Sequence, residues 1–138
     1  MLNNKFICDT NVLLSSILSK NSPPYQAIDY IENNGLFVFS QETFAELIEV
    51  LNREKFDKYI SRQTRDFFIQ QMFSNSLVYE VYQKVNICRD PKDNKFLDVA
   101  ISSYANCLIT GDEDLLVLEY IGNTSIITPR KFVEIYCL

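Results

Sequence analysis

The sequence predicts an α/β fold, a mostly parallel β-sheet covered by helices on both faces. Three observations predict it. Short apolar runs alternate with longer helical segments along all 138 residues, the pattern that right-handed βαβ crossovers leave in a sequence. The apolar runs are continuous, as strands buried on both faces are. The longer segments open at Ser, Asp or Pro, which start helices. No repeat, low-complexity stretch or linker divides the chain, and its length is that of one domain over residues 1–138.

Lys5-Phe6-Ile7-Cys8 is the first predicted strand, short and apolar. Asp9-Thr10-Asn11 opens a helix over Val12–Leu18. Pro24 suits the first position of a helix over Tyr25–Asn33, and Gly35 is its stop. Leu36–Phe39 is the second strand, and Ser40 caps a helix from Gln41 to about Asn52. Phe44, Leu47, Ile48 and Leu51 are its expected core stripe, with Glu42, Glu46 and Glu49 opposite. Ser61 caps a helix through about Ser74, with Phe67, Phe68 and Met72 inward. Leu77–Tyr82 is the third strand. Asp90-Pro91-Lys92-Asp93 leads into a helix to about Tyr104, with a stripe of Phe96, Leu97, Ala100, Ile101 and Tyr104. Cys107–Thr110 is the fourth strand, Asp112–Leu118 a short helix and Ser125–Thr128 the fifth strand. Pro129 opens a last helix to about Tyr136.

Composition narrows the chemistry. The chain has no histidine, so His-based triads, His-pair ribonuclease chemistry and His-ligated zinc are excluded. Cys8, Cys88, Cys107 and Cys137 form no Cys-x-x-Cys pair; they are expected to be reduced, small apolar residues. Three glycines leave no Gly-rich phosphate loop. A net charge of −5 argues against a simple electrostatic nucleic-acid binder. It is compatible with a nuclease whose carboxylates surround a cation. No apolar run approaches the roughly 20 residues of a membrane span, and the first residues have no secretory pattern, so a cytoplasmic location is expected.

The acids gain meaning from the fold. Sites on parallel sheets form beyond the carboxyl ends of the strands. Asp9 directly follows the first strand, Asp112 and Asp114 follow the fourth, and Asp93 begins the helix whose apolar face starts at Phe96. Each alone is an ordinary helix cap. Together on one edge they raise one another's pKa and cost stability unless a cation gathers them. Oxygen ligands alone favour Mg²⁺ or Mn²⁺. The helix after the second strand adds a glutamate, and periodicity leaves Glu42, Glu46 and Glu49 equivalent. Asp98 is about 140° around the helix from Asp93 and is expected to point off the site. Asp90 is expected to meet Arg89, Lys92 or solvent.

Four segments, Phe6-Ile7-Cys8-Asp9-Thr10-Asn11-Val12-Leu13, Glu46-Leu47-Ile48-Glu49-Val50-Leu51, Arg89-Asp90-Pro91-Lys92-Asp93-Asn94-Lys95-Phe96-Leu97 and Leu108-Ile109-Thr110-Gly111-Asp112-Glu113-Asp114-Leu115-Leu116, resemble the PIN-domain family. The resemblance is greatest to its branch of toxins from toxin–antitoxin pairs. Ile127-Thr128-Pro129-Arg130-Lys131-Phe132 also fits. No one motif is specific; the ordered set, covering essentially the whole chain, is. It implies a three-layer α/β/α sandwich with a central, mostly parallel five-stranded sheet. It also implies an endoribonuclease dependent on Mg²⁺ or Mn²⁺, one or two ions per site. By the same resemblance Asp9, Glu46, Asp93 and Asp112 are the four catalytic acids and metal ligands, with Asp114 an alternative or added ligand. Thr10, Asn11 and Thr110 match positions that support the acids.

RNA is then the expected substrate, an antitoxin protein the expected partner and a homodimer the expected assembly, with Tyr120 and Tyr136 as apolar material for it. Residues Arg53–Arg65 carry five basic side chains among Phe56 and Tyr59, a candidate grip on RNA, a docking place for an antitoxin segment or a plain charged surface. Two other readings compete. An inactive PIN-like interaction module would keep partner affinity in chelator, but all four acid positions are filled. A receiver-type phosphoacceptor domain needs an acceptor Asp after a central strand and a Lys after a late one. No Lys follows Cys107–Thr110.

Overall fold

A computed structural model describes residues 4–137. Its elements run β1 (Lys5–Cys8), α1 (Thr10–Leu18), α2 (Pro23–Asn34), β2 (Leu36–Phe39), α3 (Gln41–Leu51), α4 (Arg62–Ser74), β3 (Ser76–Val78), α5 (Asn94–Ser103), β4 (Cys107–Ile109), α6 (Glu113–Leu116), β5 (Tyr120–Ile121), β6 (Thr124–Ile127) and α7 (Pro129–Tyr136). Short 3₁₀ turns lie at Glu54–Phe56 and Pro91–Asp93. The strand order is β3-β2-β1-β4-β6-β5. All pairings are parallel except that of β5 with β6.

Strand periodicity sorts the sheet's side chains into two cores. Phe6, Cys8, Phe37, Phe39, Cys107 and Ile109 face α1, α2, α3, α4 and α7. Ile7, Val38, Leu108 and Ile126 face α5 and α6. The fold is therefore the three-layer sandwich expected, with its five predicted strands in place. A sixth, β5, is an addition to the predicted sheet. It forms a two-residue hairpin with β6, turned by Gly122-Asn123, where Gly122 supplies the positive φ of +57° that such turns need at the first central position.

Side-chain caps place the helix starts. Asp9, Ser22, Ser40, Ser61 and Thr128 each accept from a backbone N–H of the following turn. Pro23, one residue before the predicted Pro24, takes the first position of α2. Gly35 ends α2 with an extended φ of −156°. Space rather than conformation requires glycine there: a Cβ would lie 2.8 Å from the Asn4 carbonyl oxygen and 2.9 Å from Phe6 Cε2.

Several predicted faces are corrected. In α4, Arg65 is buried with Phe68 and Met72, while Phe67 is exposed; residues 65, 68 and 72 share the inward face at helical spacing. In α3 the buried stripe is Thr43, Leu47, Val50 and Leu51, and Ile48 is exposed. Tyr104 leaves α5 in the left-handed region, φ 55°, and is exposed. Tyr120 is exposed as expected, but Tyr136 stacks on Phe132 and meets Phe6 and Tyr30 edge-on or tilted. It therefore docks α7 rather than offering an outer surface.

The third strand ends at Val78, not Tyr82, because the chain there changes hydrogen-bond partner. Past Tyr79 it runs along α5, whose Asn94, Asp98 and Ser102 lie one turn apart on one face. Ser102 Oγ accepts from Tyr82 N at 3.4 Å, Asp98 Oδ1 from Val85 N at 2.7 Å and Asn94 Oδ1 from Cys88 N at 2.9 Å. This polar rail does for the segment what a neighbouring strand would otherwise do.

Candidate metal centre

The acids gather where the parallel strands end. Asp9 follows β1 and its backbone N–H donates to Ile109 O at 3.1 Å, joining the ends of β1 and β4. Its Oδ1 accepts from Val12 N at 2.8 Å, and its Oδ2 from the Thr110 hydroxyl. Asp9 is thus an N-cap as well as a site acid; the bland reading of its position is also correct. Burial pushes its carboxyl up to about 6, against the lowering pull of the Thr110 and Val12 bonds and with the help of Asp112 and Glu46.

Thr110 fixes two acids at once. Its hydroxyl donates to Asp9 and accepts from Asp112 N at 2.9 Å. Asp112 in turn caps α6, accepting from Asp114 N at 2.9 Å. Asp93 closes the 3₁₀ turn ahead of α5, and carboxylate oxygens of Asp93, Asp112 and Asp114 lie within 4.8 Å of one another. Burial and the adjoining Asp112 carboxylate, with Asp90 and Asp9 behind, push Asp93 up to about 7. Its Oδ2 is buried and meets no hydrogen-bond donor.

Glu46 is the glutamate that reaches this edge. It stands beside Thr43, Leu47 and Val50 on the inward side of α3, while Glu42 and Glu49 are exposed. Glu49 pairs with Arg53 at 3.0 Å. Glu46 Oε1 accepts from the Thr10 hydroxyl, and Oε2 pairs with Lys95 Nζ at 2.9 Å. On the other flank, Arg89 grips Asp114 through two bonds of 2.8 and 3.1 Å. Asn11, expected to support the acids, is exposed. Asp98 lies off the site on the polar rail, and Asp90 caps the 3₁₀ turn, accepting from Lys92 N at 3.1 Å.

Sequence reasoning misses Lys95 and Arg89 as members of the site. Both stand in the Arg89–Leu97 motif, and the only signal for them is a basic residue on either side of Asp93. They leave Asp9, Asp93 and Asp112 as the acids of the cluster with no basic partner at ion-pair distance among the described residues. The basic segment at 53–65 is less free than expected. Arg53 is paired, and Arg65 is 2% exposed and bonded to Asp57 at 2.9 Å. Tyr59 is well exposed. Cys8, Cys88, Cys107 and Cys137 are free thiols, pushed up first by burial, which makes them unreactive.

Comparisons with known proteins bear on the fold and the family. An uncharacterized protein of Methanocaldococcus jannaschii is 31% identical over 141 residues, covering 94% of this chain and 90% of its own. The crystal structure of VapBC2 from Rickettsia felis, bound to a DNA fragment from its promoter, contains a chain with a TM-score of 0.60 at 15% identity. That match covers 90% of this chain and 98% of the other. The structure of PAE2754 from Pyrobaculum aerophilum gives 0.63 at 16% identity, covering 98% and 97%. A family model described as "PIN domain" matches residues 5–114, from β1 through Asp114. Since that match spans most of the chain, the chain belongs to the PIN-domain family.

Proposed function

We propose that this protein is a divalent-metal-dependent endoribonuclease, the toxin of a toxin–antitoxin pair, acting as one nuclease domain over residues 1–138. One observation carries the reading: carboxylate oxygens of Asp93, Asp112 and Asp114 lie within 4.8 Å of one another at the carboxyl edge of the sheet, with Asp9 tied to Asp112 through Thr110. The donor set fits Mg²⁺ or Mn²⁺, since it is all carboxylate oxygen. The buried, donor-free Oδ2 of Asp93 is the atom most in need of a cation.

Asp9, Asp93 and Asp112 would hold the ion, with Asp114 beside them. A bound divalent ion would supply an activated water and offset charge on the phosphate under attack. The chain supplies placement. Thr110 orients Asp9 and Asp112 together, and the Val12 N–H fixes the second oxygen of Asp9. Glu46, held by Thr10 and Lys95, is placed to orient water at the rim.

A cleft of about 420 Å³ is lined by Lys84, Lys92 and Lys95, by Asn86 and Asn94, and by the carboxylates of Glu42 and Asp98. These lysines are better placed than residues 53–65 to hold phosphates flanking the scissile bond. Replacing Lys84 and Lys92 by Ala is expected to weaken binding of a single-stranded RNA. The slope of log affinity against log salt should fall by about 0.7 for each phosphate that the variant no longer neutralises. An unchanged slope, measured by fluorescence anisotropy, would remove the cleft from the substrate path.

RNA cleavage should require Mg²⁺ or Mn²⁺ and stop in chelator, with Ca²⁺ a poor substitute because its larger, looser shell positions water badly. Cleavage by the purified protein in excess chelator would overturn the proposal. Partner affinity that persists in chelator without any RNA cleavage in Mg²⁺ would favour the inactive interaction module. The antitoxin reading is supported by the Rickettsia felis neighbour, which was crystallised as a VapBC complex. A cytoplasmic location is consistent with the absence, among the described residues, of any helix long and apolar enough to cross a membrane. A homodimer is our reading of the assembly, and a one-chain mass by light scattering would exclude it.

A further inference from the structure

The five carboxylates of the site are not equivalent. Two of them, at opposite flanks, are already matched by the protein's own cations. Arg89 holds both oxygens of Asp114. Lys95 holds Glu46 Oε2 at 2.9 Å while donating to Lys92 O at 2.6 Å. The lysine's side chain is only 12% exposed, so its ammonium is fixed at this place rather than waving from the surface. The other Glu46 oxygen accepts from Thr10. An ion arriving beside Glu46 would have to displace a half-buried, doubly bonded ammonium or bear its repulsion.

We propose that Lys95 is a positioning residue that keeps Glu46 out of metal coordination, so that the centre takes one divalent ion, on Asp9, Asp93 and Asp112, instead of two. The inference rests on the metal-nuclease reading above and deepens it.

Mn²⁺ titration of the intact protein tests it without any turnover, by calorimetry together with the electron paramagnetic resonance signal of free Mn²⁺. Wild type is expected to bind one ion per chain. Asp93→Asn should weaken binding at least about tenfold. Lys95→Met, which releases Glu46 and adds a net negative charge, should bind a second ion or tighten the first at least about tenfold. Lys95→Arg should restore the wild-type pattern. The double variant Lys95→Met with Glu46→Gln conserves net charge and should bind one ion with an affinity within about threefold of wild type.

Two ions in wild type, no change in Lys95→Met, or a double variant weakened as much as Asp93→Asn would each overturn the role given to Lys95. Should Lys95→Met fail to fold, the wild-type stoichiometry and the double variant still decide. Asp93→Asn binding like wild type, or a wild type that binds no Mn²⁺, would instead sink the metal centre itself, so the two failures are distinguishable.

Discussion

Asp9→Asn is expected to cut RNA cleavage by at least about 10²–10³-fold, the scale of losing one preorganised electrostatic group, while making the metal-free protein more stable at neutral pH. The two effects have one cause. The carboxylate is buried, its proton affinity raised to about 6 by that burial and by Asp112 and Glu46. The folded metal-free protein therefore carries an unfavourable charge at pH 7. Asn keeps the shape and the Oδ1 acceptor for Val12 N, and its amide can donate to the Thr110 hydroxyl, whose own donated bond is then lost and offsets part of the gain. Relief of the charge is worth up to about 3 kcal/mol, taking a shift from 3.8 to about 6 at about 1.4 kcal/mol per unit. What is lost is the anionic ligand.

A protein in which Asp9 served only as a cap would change little in stability, because Asn caps a helix about as well as Asp, and would show no specific loss of cleavage. Asp98→Asn is the control. It preserves the acceptor for Val85 N on the polar rail and, although it lines the lysine cleft, stands outside the acid cluster, so single-turnover cleavage at saturating protein should be largely intact. Single-turnover cleavage of a labelled RNA beside chelator melts of both variants separates these outcomes. An Asp9→Asn protein that cuts at near wild-type rate would mean that the centre is misassigned.

The legible parts of this protein are those written in local signals. Ser40, Ser61 and Pro129 announce their helices to within a residue because capping and proline chemistry act over one turn. Asp9, Asp93 and Asp112 can be read as one group because each sits at a strand end or helix start, and parallel topology puts those on one edge. The misreadings are of tertiary origin. Hydropathy turns Phe67 inward and Arg65 outward, since it cannot anticipate that Asp57 partners a buried guanidinium. Leu77–Tyr82 has strand composition throughout, but the side chains that draw Tyr82, Val85 and Cys88 away from the sheet lie on α5, well along the chain. The choice of Glu46 over Glu42 and Glu49 comes from family resemblance, because in α3 the true inward stripe includes Thr43 and Val50 instead of Ile48. Lys95 and Arg89 escape notice because a basic residue beside Asp93 reads as surface until its partner, Glu46 or Asp114, is brought across the fold.

The metal-free protein should lose stability as pH rises from about 5 to about 8, and Mg²⁺ should abolish most of that loss. Asp9 and Asp93 have folded-state values of about 6 and about 7 against an ordinary 3.8. Between those limits the folded chain binds more protons than the unfolded chain, so stability falls with rising pH. The contribution of each group is fully present below about pH 4 and is lost as pH climbs through its folded value. For Asp9 the whole loss, begun near pH 4, is on the order of 3 kcal/mol, of which about 1.4 kcal/mol falls between pH 5 and pH 8; Asp93 is more open to solvent and adds to it. For a chain of this size the Asp9 share between pH 5 and pH 8 is a fall of about 4 °C in melting temperature. A divalent cation binds the deprotonated carboxylates, so it competes with the protons and stabilises only where they have left. The shift in melting temperature on adding Mg²⁺ should thus be close to zero near pH 5 and largest near pH 8. In Asp9→Asn both the chelator slope and the Mg²⁺ shift should shrink together, because one residue is responsible for part of each. A melting temperature in chelator that is flat or rises over this range, or an Mg²⁺ shift of equal size at both ends of it, would show that the cluster is neither as strained nor as cation-hungry as its geometry demands.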